Sequence, residues 1–80
     1  MDLPTMKEKV IRPKLAEVFG TLLAASIISK YSGEAIMKGN TDQEKCKILI
    51  EGICKDPKVT NLWGTSQTIK QKQEWLKLAK

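Results

Sequence analysis

This 80-residue sequence contains no histidine, two cysteines, one arginine, and only two tryptophans, one tyrosine and one phenylalanine. Each scarcity excludes something. Without histidine there are no Ser–His or Cys–His nucleophilic pairs and no imidazole general base, and most zinc and iron sites are ruled out. Two cysteines are too few for a disulfide scaffold. Cys46 and Cys54 are eight residues apart in a stretch that reads as one helix. Their Cα atoms would lie roughly 12 Å apart, beyond disulfide reach. The pair matches neither a zinc knuckle nor a CxxC redox motif, so both read as small buried hydrophobes in a reducing, cytosolic setting. Lys45 and Lys47 flank Cys46 and would lower its pKa if the thiol were exposed.

Phosphate loops are missing too. Gly33 and Gly39 form neither a GxxxxGK[ST] nor a GxGxxG pattern. Asp42 and Glu44 are explained by the start of a helix, where negative charge is favoured. So short a chain offers little room for a sheltered cleft. No catalytic, metal-binding or cofactor-binding residue is therefore assigned, and a non-enzymatic protein is expected. A small-molecule ligand is not expected.

A long apolar run is also lacking. Lys7, Lys9, Arg12 and Lys14 precede the run from Val18 to Ile28, which loosely imitates a secretory signal. Asp2, Glu8 and Glu17, with Thr21 and Ser26 inside the run, argue against one. The run is shorter than the roughly 20 apolar residues a membrane span needs. A core helix in a cytoplasmic protein is the expectation, with membrane attachment disfavoured.

What remains is a helical pattern. Apolar residues make up 41% and charged residues 29% of the chain, as in a folded domain. Eighty residues make one domain, 1–80, with a core that is marginal alone, so self-association is in play. The fold class read from the pattern is all-α, a small bundle of four to five helices over about 6–12, 13–31, 42–55, 57–63 and 66–79. Thr5 and Glu8 read as a capping box for the first. Pro13 should break or kink the chain near Arg12 and stand at the first turn of the second. In 13–31, Leu15, Val18, Phe19, Leu22, Leu23, Ile27, Ile28 and Tyr31 recur at helical spacing. It should form the centre of the bundle and stop at Gly33. Residues 34–38 are ambiguous. Thr41 and Glu44 form a second capping box, and Asp56-Pro57 is a cap followed by a first-turn proline. On the last helix Ile69, Leu76 and Trp75 should face inward, with Lys70, Lys72, Gln73 and Lys77 outward.

Charge is uneven. Residues 1–14 carry +2, residues 15–65 are neutral, and residues 66–80 carry +3. Two basic ends suit phosphate, acidic protein or simple solvation.

Two interaction readings follow. In the first, the chain docks on protein or on itself through the Leu15–Tyr31 helix, whose surplus apolar girth suits the core or a partner, or through the Trp63/Trp75 region. Gly20 and Ala24 are small residues four apart that let a helix approach, and Trp63 and Trp75 are possible aromatic anchors. In the second, it binds nucleic acid. Leu62-Trp63-Gly64-Thr65-Ser66-Gln67 is similar to the turn of DNA-binding helix-turn-helix proteins, in which glycine ends one helix and serine opens the recognition helix. It departs from that pattern in the spacing of Ile69 and in Thr60, and a plain helical hairpin remains the alternative. The resemblance implies contacts from Gln67, Thr68, Lys70, Gln71, Lys72 and Lys77.

Overall fold

A computed structural model describes residues 2–79. Among them there is no strand, and the chain is a small all-α bundle. The first helical run is α1 (Leu3–Thr5), a π-helical segment (Met6–Ile11) and α2 (Arg12–Phe19). Then come α3 (Thr21–Lys38), α4 (Asp42–Lys55), α5 (Pro57–Trp63) and α6 (Thr65–Ala79).

Several boundaries differ from the sequence expectation. The first helix starts earlier because Asp2 caps it, accepting from the Thr5 amide at 2.9 Å. Thr5 makes no side-chain cap, and Glu8 pairs with Arg12 instead. Pro13 stands in the first turn of α2, as expected, without separating it from the helical run before it. The backbone widens into the π turn before it, where the Arg12 amide donates to the Lys7 carbonyl five residues back. Such a turn absorbs the crowding a proline ring imposes on the preceding turn.

The break falls at Gly20 instead. Its φ of 83° and ψ of 165° lie in a region nearly closed to residues with a Cβ. Its amide donates to Ala16 and its carbonyl accepts from Ala24, so one residue ends α2 and begins α3. Gly64 repeats the device between α5 and α6, with φ of 82° and the same pair of bonds to Thr60 and Thr68. Both follow an aromatic residue and precede threonine. Gly33 does not stop α3. The helix runs through it to Lys38, taking residues 34–38 with it, and Gly39 caps the end.

The centre of the bundle is α4, not 13–31. It contacts α1, α3, α5 and α6 and buries Cys46, Leu49, Ile50, Ile53 and Cys54. Its expected caps form. Thr41 Oγ1 accepts from the Glu44 amide at 3.2 Å. Glu44 reaches back to the Asn40 amide rather than to Thr41. Asp56 accepts from the Lys58 amide at 2.8 Å and starts α5.

A polar knot ties α3 to the α4–α5 junction. Asp56 is 4% exposed and also accepts from the Tyr31 hydroxyl. Burial alone would raise its pKa. The Tyr31 hydroxyl, the Lys58 amide and the charges of Lys30 and Lys58 together hold it below the ordinary carboxylate value. Burial, then the hydrogen bond to Asp56, push Tyr31 up to about 12. The Tyr31 ring lies on Gly52 of α4. A Cβ there would stand 2.7 Å from Tyr31 Cδ1 and 3.1 Å from Cγ.

Two predictions follow from the knot. Helix propensity favours Gly52→Ala by about 1 kcal/mol. The ring leaves no room for the methyl, however, so overpacking should make the variant less stable by about 1–3 kcal/mol; chemical denaturation that finds it more stable refutes the packing. The second uses the lone tyrosine. Its raised folded-state pKa means its contribution is complete below pH 10 and drains as pH climbs toward 12. Absorbance titration should place its ionisation near 12 in the folded protein. Asp56→Asn should move the midpoint back toward 10, and an unchanged midpoint would dismiss the carboxylate as a cause.

Candidate interaction surfaces

Among the residues singled out from the sequence, Ala24 and Trp75 turn inward, at 0% and 2% exposed. Ala24 lies on the stripe of α3 that packs on the core, with Ile27, Ile28, Ser32 and Ala35. Trp75 packs against Trp63 in a tilted pair, ring centroids 5.9 Å apart and planes at 58°. These two therefore serve the chain's own packing. Gly20 is exposed at its corner, and Trp63 is half-buried.

On α6 the inward face is rotated from the one expected. Thr68, Gln71, Trp75 and Ala79 are buried, whereas Ile69 is 52% exposed. The reason is local. Trp75 sits on the Trp63 ring and fixes the helix face, and Thr68 and Gln71 fall seven and four residues before it on the same stripe. Thr68 Oγ1 donates back to the Gly64 carbonyl at 2.8 Å. Thr68 and Gln71 are thus withdrawn from any nucleic-acid contact. Gln67, Lys70 and Lys77 remain exposed and Lys72 is partly so. The turn also differs from the one the helix-turn-helix likeness implies, since Gly64 alone separates α5 from α6.

The basic ends line different clefts. Lys7 and Arg12 border a shallow one against Ala25, Ile28 and Ser29 of α3. Lys77 borders a groove of about 410 Å³ between α6 and α4, opposite Gln43 and Lys47, over Leu76. Lys80, counted in the basic C-terminal segment, lies outside the described residues.

The cysteines are buried as expected. Cys46 turns inward, so Lys45 and Lys47 do not activate it, and burial raises its pKa. Burial pushes Cys54 up to about 11 against the opposing charge of Lys72. Among the described residues no group of acids and cysteines could hold a metal ion. No helix of the described residues is long and apolar enough to cross a membrane.

The outer face of α3, the helix already singled out for docking, carries the exposed apolar side chains. Leu22 is 89% and Met37 86% exposed, with Ile36 at 56% and Leu23 at 39%. Between these two apolar ends, Ser26, Ser29 and Gly33 stand on the same outward stripe and are exposed. At about 100° per residue the line Leu22–Ser26–Ser29–Gly33–Ile36 holds no charge over four turns. Lys30 and Glu34 stand to one side of it. A solvent-facing helix stripe is ordinarily charged or polar. The signal lies in the apolar girth of 13–31, which fits the core or a face shared with a partner; the residues that form the exposed face were not singled out. No family model, curated protein or solved structure matches the chain.

Thiol chemistry checks the burial. Neither cysteine should react with an alkylating reagent in the folded protein at pH 8 on a timescale at which both react in denaturant. Rapid modification of the native chain would contradict their inward placement.

Proposed function

We propose that this chain is a non-catalytic helical interaction module that docks protein through the outer face of α3. The observation that carries the reading is the uncharged outward stripe of α3, ending in Leu22 and Met37, the most exposed of the large apolar side chains. A solvent-facing helix stripe without charge departs from the polar face expected there. Its centre is small and uncharged, its ends are apolar, and Lys7, Glu8, Arg12, Lys30 and Glu34 flank it as a charged rim.

Protein docking is preferred over nucleic-acid binding for a stated reason. The lysines of α6 project separately from an outward face that also carries Glu74, and two of the six residues once suited to base or phosphate contact pack inward. Lysine without arginine also gives little base readout.

The test is site-specific photo-crosslinking in cells that make the protein. A benzophenone amino acid in place of Ser26 should give protein adducts, and adding Met37→Glu should abolish them. The same reagent in place of the exposed Asn61 on α5 should give none. Equal labelling from both positions, or none from Ser26, removes α3 as the docking face.

A further inference from the structure

We propose that the occupant of this face is a second copy of the same chain, with α3 packed antiparallel on its twin across a two-fold axis between Ser29 and Lys30. This names the partner for the docking face argued above and rests on that reading.

The first argument is the order of residues along the stripe. Inverted about the point between residues 29 and 30, the middle of the face returns its own pattern: Leu22 meets Met37 and Ser26 meets Gly33, while Leu23 and Ile36 flank it at equal heights on opposite edges. A two-fold interface imposes that inversion, because residue i meets j while j meets i. The four large side chains at the ends are the exposed ones. The small ones fall at the middle, where the two helix backbones approach most closely.

The second argument is Gly33. Glycine inside a helix weakens it, and the other interior helical glycine has a reason within the chain, since Gly52 seats the Tyr31 ring. Gly33 has none. A Cβ there would meet nothing within 4 Å. It lies on the outward stripe, and a close-packed partner helix would make the same use of it that Tyr31 makes of Gly52.

Charge agrees with the arrangement. Lys30 Nζ lies over the Tyr31 ring, 5.4 Å from its centroid, at the edge of the stripe and not on it. Glu34 stands one turn further along the same edge, where it pairs with Lys38 at 3.0 Å. A two-fold axis brings like edges together, so the two Lys30 side chains stand beside each other with a Glu34 about one turn beyond each, and the shared edge carries both signs. Size points the same way, since an 80-residue core is marginal alone and gains from a second layer.

Sedimentation equilibrium across about 10 µM to 1 mM should give a mass rising to twice the chain's 9.0 kDa. Met37→Glu and Gly33→Leu, both at exposed positions, should return it to 9.0 kDa with unchanged helical circular dichroism. Cysteine pairing reads the register, with little background from the buried native thiols. Leu22→Cys and Met37→Cys should each fail to form a disulfide alone, because the two copies of either residue lie about 22 Å apart along the axis. Mixed together they should form one, and Ser29→Cys alone should also form one near the axis. A chain that stays at 9.0 kDa throughout overturns the proposal, as does Leu22→Cys pairing with itself. If the chain is monomeric yet Ser26 still cross-links to a different protein, the second copy is wrong and the docking face stands.

Discussion

Tyr31 reaches from the middle of α3 to a carboxylate at the junction of α4 and α5, and the positions of three helices depend on that contact. Asp56 serves two roles at once. One oxygen caps α5 through the Lys58 amide, and the other accepts the Tyr31 hydroxyl. Its backbone carbonyl receives both the amide and the hydroxyl of Thr60. A buried carboxylate without such partners would be costly. Here the donors outweigh the burial and the group stays ionised below its ordinary range. Tyr31 can make the bond only because its ring lies flat on Gly52, so the glycine, the ring and the carboxylate form one unit. The bundle's geometry is therefore set by a polar contact on a glycine seat, and the apolar residues of α4 fill the space it defines.

Much of this was legible in the chain, and the legible part has a common physical cause. Thr41 and Asp56 carry short oxygens beside orphan helix amides, and such caps depend on neighbours only a few residues away. Both formed where the sequence placed them. Pro57 opening α5 is equally local. The misread elements depend on distant partners. Thr5 and Glu8 have the pattern of a capping box, but Asp2 with Pro4 offers an earlier start, and Glu8 was taken by Arg12. Gly20 and Gly33 look alike in sequence. Only the packing of α2 against α3 makes the first a corner and leaves the second inside a helix.

The same distinction explains α6. Its apolar residues are spread around the helix, so no stripe dominates, and Ile69 looked as suited to the core as Trp75. What decides the face is the size of Trp75 and its neighbour Trp63, a contact across the Gly64 corner that no periodicity contains. Once the ring is seated, Thr68 and Gln71 follow it inward and Ile69 is turned out. The residues first singled out for nucleic acid were thus divided by a single aromatic pair.

The outer face of α3 stayed open between core and partner for a related reason. Periodicity shows that a helix has apolar residues, but burial requires a neighbour to cover them. A helix apolar over most of its girth needs neighbours on most sides. In this chain α3 is held by α2 on one flank and α4 beneath, and no element is left to cover its outward side. Leu22, Ile36 and Met37 remain in solvent, on the longest helix of the bundle, with Ser26, Ser29 and Gly33 between them. The contrast between two glycines is the clearest measure of the gap. Gly52 is small because something presses on it, while Gly33 is equally small and nothing among the described residues does. A fold that supplies the reason for one and not the other is complete at α4 and unfinished at α3.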